Sequence, residues 1–158
     1  MNGPGRIASI NVSQGGVPKR PIPRARVGPL GLEGDKQRNL KFHGGPQRAL
    51  CLYSAEWIAG LVAEGHRVVA GALGENVTVE GLDLGPLGPG ARLRLGATVR
   101  IEVTSYAAPC RQIAPCFSDG DSGRLDPDES PHRARLYAKV LEAGEVAVGD
   151  AVILEEAT

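Results

Sequence analysis

Glycine and proline interrupt this chain so often that long regular elements have little room. Its 158 residues include 22 Gly and 12 Pro, which are many for a helical bundle and suit short strands joined by tight turns. The run over residues 98–104 alternates cleanly, with Val99, Ile101 and Val103 on one face. The sequence therefore predicts a mainly β fold, a mostly antiparallel barrel with one to three short helices plugging its ends.

Length and charge limit the classes of protein that this chain can represent. A chain of this size predicts a single domain over residues 1–158, with a core over about 6–154. The formal net charge is zero, which argues against a nucleic-acid partner. No apolar run approaches the roughly 20 residues of a membrane helix, so no membrane partner is expected. Three cysteines without a CxxC pair favour reduced thiols and a cytoplasmic location.

One helix and a series of strands follow from the hydrophobic pattern. Ser54 can cap a helix that runs to about Glu64, because one face of a 3.6-residue period carries Trp57, Ile58, Leu61 and Val62. Residues 109–117 predict a second, short helix, and residues 28–35 a loop with three glycines. The other apolar runs predict strands over residues 6–13, 22–27, 48–53, 76–79, 91–95, 98–104, 134–141 and 146–154, the last of these broken by Gly149-Asp150.

Cys110 is the candidate for chemistry, since a thiolate is both a nucleophile and a soft metal ligand. It follows a predicted strand and precedes Arg111, whose charge could favour the thiolate. The alternative is an inert, buried cysteine. Cys116 could be a resolving thiol or an ordinary small apolar residue, and Cys51 lies in an apolar strand and is expected in the core.

Polar residues beside glycines form a second set of candidates. His43 precedes two glycines, which would let a ligand approach the backbone closely, so it could donate to a phosphate or an oxo group. Asn76 could hydrogen-bond a ligand through its side-chain amide, and Asp35 could orient His43 or Arg48. Each of these residues has a plainer alternative, in which its side chain only completes a local turn.

Four cations fall within eight residues and could bind a phosphate. Arg20, Arg24 and Arg26 have the same parity, so on one strand they would share a face with Lys19 nearby. The alternative is a solvated strand face, which is the usual place for charged residues.

Five motifs in a fixed order resemble the MOSC domain, the C-terminal domain of molybdenum-cofactor sulfurases. They occupy residues 31–35 (GLEGD), 43–45 (HGG), 49–53 (ALCLY), 74–81 (GENVTVEG) and 96–110, which ends in Pro109-Cys110. The last part of the chain also looks like small stand-alone bacterial members. The chain departs from some members at Gln112 and at Tyr106-Ala-Ala, which bears on substrate preference.

The resemblance implies a β-barrel and a family cysteine, matched by Cys110, that ligates molybdenum or carries sulfur. It implies the molybdenum cofactor (molybdopterin), held by His43, Asn76, Asp35, Arg48, Lys19, Arg20 and Arg24. The activity implied is reduction of a small N-hydroxylated substrate with electrons from a separate donor protein. Pyridoxal phosphate is not expected, because the aminotransferase-like domain of full sulfurases has no room in 158 residues.

Two other functions stay open from the sequence. In one, Cys110 takes a persulfide from a cysteine desulfurase and passes the sulfur to a metal cofactor. In the other, the chain is a binding barrel whose cofactor site has decayed.

Overall fold

Eleven short strands and one α-helix make up the part of the chain described by the computed structural model, which covers residues 4–15, 17–36, 45–109, 111–128 and 133–155. Short 3-10 turns lie at Pro46–Arg48, Arg111–Cys116 and Ser122–Leu125. The helix α1 is Ala55–Ala63. The strands are β1 Gly5–Val12, β2 Arg20–Ile22, β3 Arg24–Gly28, β4 Gly31–Leu32, β5 Leu50–Ser54, β6 Val77–Glu80, β7 Arg92–Leu95, β8 Val99–Ala107, β9 Arg135–Glu142, β10 Gly144–Ala147 and β11 Ala151–Glu155.

Seven of these strands close into a barrel. Their order around the ring is β1, β11, β7, β8, β9, β5 and β6, and the pairing of β1 with β6 completes the circle. The pair β5–β6 is parallel and the other neighbours are antiparallel. Strand β2 pairs with the far end of β1, while β10, β3 and β4 form a separate small sheet. The predicted mainly β, mostly antiparallel barrel is thus confirmed.

The alternating strand β8 shows how the sequence fills the barrel. Val99, Ile101 and Val103 are at most 1 % exposed and belong to one interior cluster, as their two-residue period predicts. In β5, Leu50 and Leu52 belong to this same cluster. The residues between and after them on β5, Cys51 and Tyr53, belong to other clusters, so they lie on the outer face of the barrel.

The helix α1 covers part of that outer face. Ser54 accepts a hydrogen bond from the Trp57 backbone N–H at 3.2 Å, which caps the helix as predicted. Ile58 and Leu61 are buried in a second cluster beneath it, and burying a leucine fully is worth about 2 kcal/mol. Val62, which was expected on the same face, is 51 % exposed, so that part of the expectation is wrong. The remaining members of the cluster are Tyr53, Val68, Leu73, Ile113, Phe117 and Leu125. Both faces of β5 are therefore buried.

Three expectations about element boundaries need correction. The single strand expected over residues 22–27 is wrong: β2 and β3 are separate strands that pair with β1 and β10, because Pro23 between them interrupts the ladder. The loop expected over residues 28–35 contains the short strand β4, which pairs with β3. The short helix expected over residues 109–117 is a 3-10 helix, Arg111–Cys116, with Pro115 inside it.

Candidate functional site

Asn76 is a junction on the outer face of the barrel, just before β6 begins. Its Nδ2 donates to the Asp35 Oδ2 at 2.8 Å and to the Asn11 carbonyl at 3.3 Å. Its Oδ1 accepts from the Cys51 N–H at 3.0 Å. Both amide hydrogens are used within the protein, so Asn76 joins β1, β5 and Asp35 to one another. Its predicted contact with a cofactor stays a prediction.

A buried ion pair adjoins this junction. Lys19 Nζ lies 2.6 Å from Asp35 Oδ1, and the two side chains are 5 % and 3 % exposed. The Ser13 backbone N–H also donates to Asp35 Oδ1, at 2.9 Å. Lys19 is paired and buried, so its charge neutralises Asp35. It does not lie on an exposed strand face, which is where the sequence interpretation placed it.

Glu75 lies next to Asn76 and has no exposed surface. Its Oε2 accepts from the Thr78 hydroxyl at 2.9 Å, and the Thr78 oxygen accepts from Asn11 Nδ2 at 3.1 Å. No hydrogen-bond partner for Oε1 is present in the described part of the chain. Burial raises the pKa of this carboxyl, and the Thr78 hydrogen bond and the Arg135 charge only partly offset the effect.

A small cluster of buried side chains connects the end of β8 to the strand β5, whose Cys51 backbone is hydrogen-bonded to Asn76. Cys51 on β5, Tyr137 on β9 and Ala107 at the end of β8 pack together. The Arg48 guanidinium carbon lies 5.6 Å from the centroid of the Tyr137 ring, a cation–π contact. The strand that leads along the chain to Cys110 thus ends beside Arg48 and Cys51. Burial raises the pKa of the Cys51 thiol to about 11, which fits its predicted place in the core.

Arg135 is a site residue that the sequence interpretation missed. It is 3 % exposed, its Nη1 donates to the Leu73 carbonyl at 2.6 Å and its Nη2 to the Ala108 carbonyl at 2.8 Å. The signal for it was an arginine at the start of the apolar strand predicted over 134–141, two residues before Tyr137 and therefore on the same face. A charge at a buried position marks a structural or functional demand on that side chain.

The structure separates the predicted cations. Arg20 on β2 is exposed and belongs to the sheet of the barrel. Arg24 and Arg26 on β3 line a groove of about 450 Å³ in the small sheet, together with Glu33, Glu145 and Asp150. These acids make the groove mixed in charge, so Arg24 and Arg20 do not form one cationic face with Lys19.

Two predicted residues, Cys110 and His43, lie outside the described residues. Within the described residues, no group of three or more His, Cys, Asp and Glu side chains is arranged to hold a metal ion. Cys116 is half-buried, and its Sγ lies 3.7 Å from the Ala72 carbonyl oxygen. Burial raises the pKa of its thiol, which favours the ordinary packing role over the resolving one.

Comparison with known proteins identifies the family to which this barrel belongs. Residues 39–153 match the family described as MOSC domain. Protein YiiM of Escherichia coli (strain K12) is 37 % identical over 100 residues, which are 61 % of this chain and 44 % of YiiM. The uncharacterised protein YflK of Bacillus subtilis (strain 168) is 33 % identical over 139 residues, 85 % of this chain and 60 % of YflK. The matched regions thus span about half the length of these curated relatives.

Solved structures agree with this likeness. The crystal structure of YiiM from Geobacillus stearothermophilus superposes with a TM-score of 0.77 at 25 % identity, over 97 % of this chain and 76 % of that one. YiiM from Escherichia coli gives a TM-score of 0.69 at 25 % identity, over 97 % and 71 % of the two chains. The YuaD protein from Bacillus subtilis, at 19 % identity and a TM-score of 0.74, supports the fold alone.

The class that the fold and the matched region define is a closed β-barrel, whose described part carries one α-helix on its outer face. The chain belongs to the MOSC domain family, and YiiM and YflK are its relatives in sequence. No helix in the described ranges is both long and apolar enough to span a membrane.

Proposed function

We propose that this protein binds the molybdenum cofactor and reduces N-hydroxylated compounds, with the Cys110 thiolate as a ligand of the metal. The family supports an association with molybdenum-cofactor systems. The observation that carries the proposal is the convergence on one outer face of Asn76, Arg48 and the end of β8, the strand that precedes Cys110.

The described residues fit a cofactor of this kind. A phosphate-bearing pterin needs planar cationic donors, and its metal needs a soft thiolate. Arg48 is held over Tyr137 beside the end of β8. Arg135, which lies on the same face, has a buried Nε without a hydrogen-bond partner among the described residues. We assign Arg48 and the exposed Arg20 on β2 to the phosphate, with His43 and Cys110 completing the site.

The other predicted residues act indirectly in this proposal. The Asn76 amide and the Asp35 carboxylate are engaged with each other and with Lys19, so their part is to hold residue 35 and the start of β6 in place. Arg24 lines the separate groove on the small sheet, and we leave it outside the site.

The cofactor supplies two-electron redox chemistry when it is bound. Reductive cleavage of an N–O bond consumes two electrons and two protons and yields an N–H group and water. We assign the electrons to a separate redox protein of the cytoplasm. The protein's part is to hold the cofactor, to provide the thiolate and to exclude water from the reacting centre through the apolar cluster around Cys51.

The test is the metal content of the protein purified from a host that makes the molybdenum cofactor. We expect near-stoichiometric molybdenum and N-hydroxy reductase activity in the wild type, with both reduced in Cys110→Ser. Cys116→Ser is the matched control and should retain both. An added mass of one sulfur on wild type alone, labile to dithiothreitol and without molybdenum, would favour the persulfide carrier instead. A protein with neither metal nor sulfur would refute the proposal.

A further inference from the structure

Arg135 connects two parts of the molecule that no strand pairing joins. Its Nη1 donates to the carbonyl of Leu73, just before Glu75 and Asn76. Its Nη2 donates to the carbonyl of Ala108, just after β8 ends. In the ring of the barrel β6 and β8 are separated by β5 and β9, so the backbone ladder does not fix their ends to each other. The arginine, which starts β9, reaches both.

Burying an arginine at this position lowers the free energy of unfolding, and its two hydrogen bonds to backbone carbonyls offset this loss. The side chain is 3 % exposed, and no ion pair to it is found among the described residues. A buried guanidinium carries a desolvation penalty that an apolar side chain of the same length avoids. Unlike an apolar side chain, the arginine has a rigid planar guanidinium whose two Nη groups form a fork and can donate to two carbonyls at a fixed spacing.

Both anchored segments are otherwise tied to the site. The Gly71 carbonyl accepts from the Lys19 N–H at 2.9 Å, and the Asn76 N–H donates to the Cys51 carbonyl at 2.8 Å. On the other side, Ala107 packs against Cys51 and Tyr137. Residues 71–76 and the exit of β8 therefore border the same buried patch from opposite sides, with Arg135 between them.

We propose that Arg135 is a positioning residue, a clamp that sets the exit of β8 at a fixed place relative to residues 71–76. This inference rests on the proposed function, because the exit of β8 leads along the chain to Cys110. The clamp acts on two backbone carbonyls and touches neither substrate nor metal. Loss of the fork should loosen both segments together, since each loses a charge-assisted hydrogen bond.

The clamp is tested first without any cofactor, by amide hydrogen exchange followed by mass spectrometry. In Arg135→Met we expect exchange to rise by about tenfold in the peptides that cover 70–76 and 105–110, and to stay unchanged in β7 and β11. Arg135→Lys keeps the charge but has no planar fork, so we expect one of the two segments to stay protected. Arg94→Met, on the exposed face of β7, is the matched control and should leave both segments as in wild type. Wild-type exchange in both segments of Arg135→Met would overturn the clamp.

The consequence for catalysis is tested second, on the metal-loaded protein. We expect Arg135→Lys to retain its molybdenum and its KM within about twofold and to lose about tenfold in kcat, because small displacements of a reacting group are expensive. A kcat that equals wild type in a folded, metal-loaded Arg135→Lys would overturn the positioning role. If the wild type itself binds no molybdenum, the proposed function fails while the exchange experiment still decides whether the clamp exists.

Discussion

The side-chain amide of Asn76 donates to Asp35 across 2.8 Å, joining residues 41 positions apart in the chain. The same amide accepts from the backbone of Cys51, so one side chain holds a loop carboxylate against the outer face of β5. Asp35 in turn holds Lys19. Three polar residues from separate segments thus form one buried unit, in which Asp35 is the shared partner of Lys19 and Asn76.

Breaking the ion pair of this unit should be expensive. Lys19→Met leaves Asp35 buried with one cationic partner removed, and we expect the free energy of unfolding to fall by about 3 kcal/mol. Urea unfolding followed by circular dichroism measures this fall. Arg124→Met is the matched control, because its pair with Asp119 is far more accessible, at 30 % and 51 % side-chain exposure, and should contribute much less. Equal losses in the two variants would show that the burial of Lys19–Asp35 carries no extra energy.

Glu75 should make stability depend on pH in a defined direction. Burial raises the pKa of its carboxyl above the ordinary value of 4.5, so the folded state holds this proton more tightly than the unfolded chain does. The stabilisation is complete below that value and is lost as the pH rises through the folded pKa. Glu75→Gln cannot ionise and still accepts from Thr78. Its stability relative to wild type should therefore increase as the pH rises above 4.5.

Unfolding both proteins in urea at a series of pH values measures this difference. The control is Glu80→Gln, an exposed carboxyl on β6, whose difference from wild type should vary little with pH. A constant difference between wild type and Glu75→Gln across the series would contradict the raised pKa.

The elements of this fold could be predicted because their signals are local. The period of two in Val99, Ile101 and Val103 places those side chains in one buried cluster whatever strand lies beside them. Ser54 caps α1 through a hydrogen bond three residues away. Pro23 shows the limit of such signals, because it splits one apolar run into two strands that enter different sheets.

The arrangement of the polar residues could not be predicted, because it depends on which strands become neighbours. Lys19 and Asp35 both stood out as polar candidates, yet their pairing follows from the path of β2, β3 and β4. The only local signal for Arg135 is its charge at the start of an apolar strand, which does not reveal its partners. Its role follows from carbonyls 62 and 27 residues away, on segments that only the closed barrel brings together.

Cys51 should be less reactive than Cys116 in the folded protein. Burial raises its pKa to about 11, so roughly one molecule in a thousand carries the thiolate at about pH 8. We expect iodoacetamide to modify the half-buried Cys116 faster than Cys51, as measured by mass spectrometry of the tryptic peptides. In urea the two should react at similar rates, which is the control. Native alkylation of Cys51 as fast as that of Cys116 would contradict its place in the core.

Gly71 should tolerate no side chain, because its backbone supports Lys19. Its φ is +85°, and a Cβ added there would collide with the Lys19 backbone carbonyl. Its own carbonyl accepts from the Lys19 N–H, so relief of the collision would break that bond and displace the lysine from Asp35. We expect Gly71→Ala to lower the free energy of unfolding by about 3 kcal/mol.

Gly65→Ala separates the two causes of this loss. Gly65 follows α1 with a similar φ of +96°, but a Cβ there meets nothing within 4 Å. Its loss should therefore be only the backbone strain, about 1 kcal/mol. The excess in Gly71→Ala combines the collision with the Lys19 backbone and the loss of the Lys19–Asp35 pair. It should shrink in a Lys19→Met background, where the collision remains but the ion pair is already lost. If Gly71→Ala and Gly65→Ala lowered the free energy of unfolding equally, the Lys19 segment would have moved away from the new methyl group without destabilising the fold.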